Sequence, residues 1–235
     1  MANQNNPFPP SSLADFTISN PESRRQIESI VNGKVPFPQF KNAICLWGTY
    51  GTGKTTLAEM LPAMLEATGN LTATPRVNGL FASQHYWHVT MCGFGSNAVT
   101  TMQELHKRAQ SNVNISPKGY RYEILDEVDI LTPAAQASLK STVSHFNETI
   151  FVFTTNNPNK LDRGLVNRSF MIEMNQPGVA DMVVMGRRFL QLMGLTGYEI
   201  ADPLFQQMVV GSRGSIRDFG DAVATAGLSL GGVLP

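Results

Sequence analysis

Cysteine is almost absent from this 235-residue chain: only Cys45 and Cys92 occur, and neither stands in a CxxC pair. That excludes a disulfide scaffold and points to a reducing compartment. Charge is scarce as well. Asp, Glu, Lys and Arg make up 15% of the residues, against roughly a quarter in ordinary soluble domains. Such a thinly charged surface fits one that is partly covered by partner subunits. Eighteen basic residues balance 18 acidic ones, for a formal net charge of zero. A chain held on nucleic acid by electrostatics alone would be basic, so DNA contact must come from a local patch or from assembly. No apolar run reaches the roughly 18 residues of a spanning helix. The opening MANQNNPFPPSS has no basic segment followed by an apolar one, so it is not a signal peptide. The expectation is a soluble, cytoplasmic protein without a membrane partner.

What is present is a length and a 42% hydrophobic content sufficient for one large domain or two small ones. Residues 1–12 are polar and Pro-rich and read as a flexible arm. After a short apolar patch at 13–18, Asn20-Pro21-Glu22 opens a helix to about Val31, stopped by Gly33. The apolar runs at 43–47, 86–91, 122–125, 150–155 and 170–174 read as strands. Helices are expected at 54–68, with a kink or early end at Pro62, at 97–111 and at 133–146, capped by Thr132. Residues 69–84 read as turn-rich. This alternation predicts an α/β parallel sheet flanked by helices, occupying 13–176. From Gly178 the pattern changes. Residues 179–193, 203–210 and 215–226 read as helices with no strand between them, a small all-helical second domain over 177–227 with a flexible tail at 228–235.

Residues 48–55, GTYGTGKT, match GxxxxGK[ST] in full and stand between an apolar strand and a helix. Glycines at 48, 51 and 53 let backbone N–H groups turn inward around phosphate, and the helix start adds its dipole. Lys54 is expected on the terminal phosphates and the Thr55 hydroxyl on Mg²⁺. Gly48, Thr49, Tyr50, Gly51, Thr52, Gly53, Lys54, Thr55 and Thr56 are the expected nucleotide contacts. Downstream, the strand ends in Asp126-Glu127. In P-loop enzymes the first such carboxylate helps hold Mg²⁺ and the second polarises an attacking water. Glu123 and Asp129 read as surface or structural charges. The cofactors implied are ATP and Mg²⁺.

The stretch 124–151, ILDEVDILTPAAQASLKSTVSHFNETIF, resembles clamp-loader ATPase subunits, AAA+ proteins of the replication factor C type. In them the acidic pair is followed by a helix of T-x-x-A-Q-x-x-L form. The likeness continues through FVFTTNNPNKLDRGLVNRSF and ends at Gly214-Ser-Ile-Arg217-Asp. Upstream, LADFTISNPESRRQIESIVNG is similar to the family's adenine-side segment, which implies Phe16 and Ile18 at the base. The resemblance implies a core AAA+ domain followed by a helical lid. It makes Asn156 the sensor of the attacking water, with Asn157 as a rival. It makes Arg168 a finger reaching a neighbouring subunit's ATP site, with Arg163 as a substitute, and Arg217 the lid sensor of the γ-phosphate, with Arg213 as a rival.

The sequence departs from the family in several places. Thr49-Tyr50 replaces the usual Pro-Pro, and Asn167 and Ser169 flank Arg168 in place of Ser and Cys. The second strand lacks the family's Asn-Ala-Ser-Asp, leaving Thr90 as the stand-in for a polar switch near Glu127. The family's C-terminal collar is not expected here. The implied function is an ATP-hydrolysing AAA+ protein of DNA replication, similar to a clamp-loader subunit, with ATP sites at subunit interfaces. Its partners would be copies of itself or related AAA+ subunits, DNA, and a sliding clamp or helicase. The alternative is a helicase-loader or transposition-type regulator that oligomerises on DNA. A third reading, a module that merely holds nucleotide, is disfavoured by intact Lys54, Asp126 and Glu127.

Other signals carry less. His85-x-x-His88-x-x-x-Cys92 lacks a fourth ligand, and strand geometry sends its two histidines to opposite faces, so it is not read as a metal site. His106-Lys107-Arg108 and Lys140 read as solvated helix faces with DNA phosphate as the other option.

Overall fold

Short apolar runs become five parallel strands between two layers of helices. The computed structural model describes residues 6–67, 86–93, 98–110, 116–195 and 202–235. Strands β1 (Ala43–Trp47), β2 (Trp87–Met91), β3 (Arg121–Asp126), β4 (Thr149–Thr155) and β5 (Ser169–Glu173) form one sheet in the order β2-β3-β4-β1-β5. All four pairings are parallel. The reading of 69–84 as turn-rich lies outside the described residues, as do His85, Asn97 and Ser111.

Side-chain alternation divides the sheet into two cores. Ile44, Leu46, Ile124, Ile150 and Val152 pack with Ile27 and Ile30 of α1 (Pro21–Val31) and Leu57, Leu61 and Met64 of α2 (Lys54–Ala67). On the other face Ala43, Cys45, Leu125, Phe151 and Phe153 meet α3 (Ala98–Gln110), α4 (Pro133–His145) and α5 (Arg163–Arg168). Strand β4 is buried along its whole length, which is why it reads as an unbroken apolar run before its threonines. Helix starts follow local chemistry. The Asn20 side chain accepts from the N–H groups of Glu22 and Ser23, and the Thr132 hydroxyl accepts from Ala135 N–H.

Of the kink or early end expected at Pro62, the early end does not occur, and α2 runs on to Ala67. An interior proline costs about 3 kcal/mol. Beyond it Met64 is fully buried and Leu65 nearly so, and burying each such side chain returns about 1.5–3 kcal/mol. Packing outweighs the lost hydrogen bond.

One charge expected on a solvated helix face, Arg108, turns inward. Arg108 donates from Nε and Nη2 to the Glu123 carboxylate at 3.0–3.3 Å, and Nη2 also reaches Thr90 Oγ1 at 3.1 Å. Glu123 is 3% exposed, and its burial pushes the carboxyl up while Arg108 pulls it back. Thr90 thus belongs to this ion-pair cluster beside His88. Lys140 pairs with Asp162 at 3.0 Å.

Helices α6 (Val179–Leu192), α7 (Asp202–Gly211) and α8 (Ile216–Ser229) build a third core around Met182, Leu190, Phe205, Phe219 and Val223. Gly186 makes this possible, because a Cβ there would lie 2.5 Å from the Phe205 ring and 2.9 Å from Phe219. The Pro-rich start joins the same core. Phe8 is 5% exposed and stacks on Phe189 with ring centroids 4.1 Å apart. Arg188 pairs with Asp15, and the Ser19 hydroxyl reaches Asp181 at 3.5 Å. The chain's other end is also tied: α8 continues to Ser229, and Val233 N–H donates to Met193 O at 3.1 Å.

Two outcomes follow for this strap. Phe8→Ala should destabilise the helical cluster by about 3 kcal/mol, read by urea denaturation. Asp15 is subject to burial, which raises its pKa, but Ser11 N–H, Arg188, the Ser11 hydroxyl and Ser12 N–H bring it down to about 2 from 3.8. A depressed carboxyl contributes stability that is complete above 3.8 and is lost as pH falls toward 2. Stability measured across that window should lose this acid dependence in Asp15→Asn.

Candidate nucleotide-binding site

The sheet order decides what can meet. Strand β4 lies between β1 and β3, so the loop after β1 and the acids after β3 flank the end of β4 at the sheet's carboxyl edge. Gly48 leaves β1 with φ +147°, and a Cβ there would lie 2.4 Å from Met174 O. Only glycine fits against that backbone. Gly48 N–H donates to Thr155 O at 3.2 Å, and Thr49 N–H to Asn175 Oδ1 at 3.2 Å. Asn175 and Asn20 in turn both donate to the Glu173 carboxylate at 2.6 Å, so the cap of α1 and the phosphate loop share one support.

Within the loop, Thr52 Oγ1 and Lys54 Nζ donate to Thr49 O at 3.0 and 2.5 Å. Lys54 is 7% exposed. Burial lowers its pKa to about 8 despite the opposing fields of Asp126, Asp129 and Glu127, so at pH 7 it is still mostly a cation, held close to three carboxylates. Tyr50 points to solvent, 73% exposed. Thr56 is half-buried on the first turn of α2. Phe16 flanks the loop, its ring 3.5 Å from a Cβ built on Gly53. Ile18 is buried in the same core as Phe16.

Thr55 Oγ1 donates to Asp126 Oδ1 at 2.9 Å, joining the start of α2 to the end of β3. The same oxygen receives Thr154 Oγ1 at 2.5 Å. Glu127 follows in left-handed backbone, φ 58° and ψ 49°, with its N–H on Thr154 Oγ1 at 3.0 Å. Its Oε2 lies 3.8 Å from a Cβ built on Gly93, just past β2. Asp129, read as a surface or structural charge, is structural: it accepts from Thr155 Oγ1 at 2.8 Å and from Asn156 N–H at 3.4 Å. Asn156 therefore stands at the tip of β4 between loop and acids. Asn157 is committed elsewhere, its Oδ1 accepting from Asn159 N–H in the following turn. Cys92 is pushed up to about 12 by burial and by the neighbouring acids, so it stays an inert thiol.

The two arginines are placed differently. Ile216 N–H donates to Gly51 O at 2.9 Å, so α8 begins on the phosphate loop itself and Arg217 is the next residue, exposed beside it. Gly51 has φ +72°, and a Cβ there would meet Ser215 Oγ at 2.4 Å. Arg213, also exposed, lies before this contact. Arg168 closes α5 with Nη1 on Gly164 O at 3.1 Å. Ser169, its successor, pairs with Ala43 at the start of β1. Arg168 thus sits at the edge opposite the loop and does not join its own chain's site, and exposed Arg163 is on the same short helix.

Thr154 and Thr155 carry no motif that marks them in the sequence. The available signal was the pair of threonines ending an otherwise apolar buried strand next to an acidic one.

Residues 44–177 match the model of the ATPase family associated with various cellular activities (AAA). Replication factor C small subunit of Thermoplasma acidophilum is 24% identical over 215 residues, 89% of this chain and 59% of that protein. Replication factor C subunit 4 of Saccharomyces cerevisiae is 26% identical over 110 residues, 46% of this chain and 33% of that one. The chain therefore spans about a third to three fifths of the lengths of these relatives. Among solved structures, the Thermotoga maritima RuvB Holliday junction branch migration motor superposes with a TM-score of 0.64 at 20% identity, over 92% of this chain and 64% of that one. A point mutant of Thermotoga maritima RuvB gives 0.65, also at 20% identity and over the same shares. At this identity the likeness is one of fold. With the family match covering more than half of the sequence and spanning both the phosphate loop and the acidic pair, the chain belongs to the AAA ATPase family.

Proposed function

We propose that the protein is a Mg²⁺-dependent ATPase of DNA replication, similar to a clamp-loader subunit, that works as an oligomer with ATP at subunit interfaces. The observation that carries this reading is the Thr55–Asp126 hydrogen bond at the mouth of a complete phosphate loop. It pairs a hydroxyl with a carboxylate, the hard oxygen donors that suit Mg²⁺. Among the described residues no three His, Cys, Asp or Glu side chains form a metal cage. That agrees with an ion taking its remaining ligands from water and phosphate, as Mg²⁺ does. Similarity to two replication factor C subunits supports the replication role.

In this reading Thr55 and Asp126 hold Mg²⁺, which supplies charge neutralisation on the phosphates. The backbone of residues 48–55 and Lys54 bind the phosphates, and Phe16 and Ile18 line the base side. Glu127 takes the proton of the attacking water, and Asn156 orients that water. Arg217 reads the terminal phosphate from the helical lid, 177–227, against the core, 13–176. Arg168, at the opposite edge, serves the next subunit's site, where its fork of donors meets developing phosphate charge. Exposed Tyr50, Met91 and Ile130 stand at the carboxyl edge, 73, 50 and 54% accessible. They give a neighbouring subunit an apolar landing beside the nucleotide. Partners would be copies of this chain or related subunits, DNA, and a clamp or helicase. No helix among the described residues is long and apolar enough to cross a membrane.

Calorimetry with Mg-ATP should show binding that Lys54→Ala abolishes. Glu127→Gln should keep nucleotide affinity and lower turnover about a hundredfold or more, the usual contribution of a positioned base. Arg168→Ala should be inactive alone and regain turnover when mixed with Glu127→Gln subunits. Normal turnover of Arg168→Ala by itself would remove the trans assignment. Mass measurement with a non-hydrolysable ATP analogue, with and without DNA, separates a clamp-loader-like arc from a filament of helicase-loader type.

A further inference from the structure

Thr154 lies one residue before the end of the central strand, 1% exposed, in a strand whose preceding side chain, Phe153, fills the α3–α4 core. A threonine in that position carries a hydroxyl that must be satisfied. Here the hydroxyl is used in both directions. It donates to Asp126 Oδ1 at 2.5 Å and accepts Glu127 N–H at 3.0 Å. A hydroxyl has a single proton and spare lone pairs, so the direction of the chain is set: Glu127 N–H to Thr154 O–H to Asp126 carboxylate. The bond to a carboxylate is of the strong, charge-assisted kind.

The residue held by this chain is strained. Glu127 is one of two non-glycine residues of positive φ among those described, and left-handed backbone is unfavourable for a side chain of its kind. Without a lock on its N–H, relaxation to an ordinary conformation would re-aim the Cα–Cβ bond and carry the carboxylate away from Gly93, above which it now lies. Asp126 gains as well. Its Oδ1 has a second donor in Thr55, and the Thr154 bond is independent of Thr55, so Asp126 stays anchored when the Thr55 hydroxyl turns to another partner.

We infer that Thr154 is a positioning residue for hydrolysis: its hydroxyl holds Glu127 in left-handed backbone and fixes the Asp126 carboxylate, acting on the reaction through both. This rests on the hydrolytic reading given above, with Glu127 as base and Asp126 on Mg²⁺. It adds a residue on a third element, β4, whose hydroxyl acts through Asp126 and Glu127.

The test compares Thr154→Val, of the same shape without the hydroxyl, with Thr154→Ser, which keeps the hydroxyl and loses the methyl. Each is measured for kcat and KM, and for affinity to a fluorescent ATP analogue in EDTA and in Mg²⁺. The expected result for Thr154→Val is a kcat about tenfold lower or more, the usual range for groups that orient metal ligands. Its EDTA affinity should stay unchanged, the gain in affinity on adding Mg²⁺ should shrink, and KM should rise by no more than that lost gain. Thr154→Ser should restore both kcat and that gain. Thr154→Ala replaces the valine variant if the latter does not fold. Wild-type turnover in the valine variant, equal loss in the serine variant, or equal loss of EDTA binding would each overturn the proposal. If the wild-type protein hydrolyses no ATP, the hydrolytic reading falls by itself, and Thr154 is then judged on the Mg²⁺-dependent affinity alone.

Discussion

One carboxylate oxygen ties the site together. Asp126 Oδ1 accepts a hydroxyl from Thr55 at the start of α2 and another from Thr154 near the end of β4. Two elements distant in sequence are thereby fixed to one atom on β3. A carboxylate 5% exposed is costly to bury unless it is hydrogen-bonded and balanced by charge. The hydroxyls meet the first need, and Lys54, itself buried in the field of the acids, meets the second. The loop's glycines, the sheet order and the left-handed turn at Glu127 all serve to bring these partners to that oxygen.

Around it lies a second tier of polar ties that keeps the phosphate loop in register with distant parts of the chain. Glu173 gathers Asn20 and Asn175, and Asn175 holds Thr49. The start of α8 rests on Gly51 O. The loop is therefore supported from β5, from the cap of α1 and from the C-terminal helices at once. A change at the loop would be felt at each of these points, because each tie is a direct hydrogen bond with little slack to absorb a displacement.

Much of this was legible in the amino-acid sequence, for a physical reason. Strands β1 and β4 are buried on both faces, so each appears as a short apolar run, and the phosphate loop needs glycine where backbone crowds backbone, as Gly48 against Met174 O shows. Local chemistry also marks helix starts, as at Asn20 and Thr132. What escaped depends on partners far along the chain. Phe8 sits in a polar, proline-rich stretch, and nothing nearby reveals that Phe189 will cover it. Arg108 follows His106 and Lys107 in what reads as a basic face, yet Glu123 draws it inward. Thr154 and Thr155 look alike in sequence, but strand alternation sends one to Asp126 and the other to Asp129. At Pro62 the early end that a local rule allows yielded to the packing of Met64 and Leu65.

The strap that joins the chain's start to its C-terminal helices bears on the order of assembly during synthesis. Asp15 and Arg188 are 173 residues apart, and closing so long a loop is slow compared with forming local contacts. The segment that carries Asp15 waits for a partner synthesised 173 residues later. The parallel sheet and its phosphate loop can be complete while Phe8 is still unplaced. Closure over the C-terminal helices is then a late event, so a folded phosphate loop does not by itself report that the helical cluster behind it has been secured.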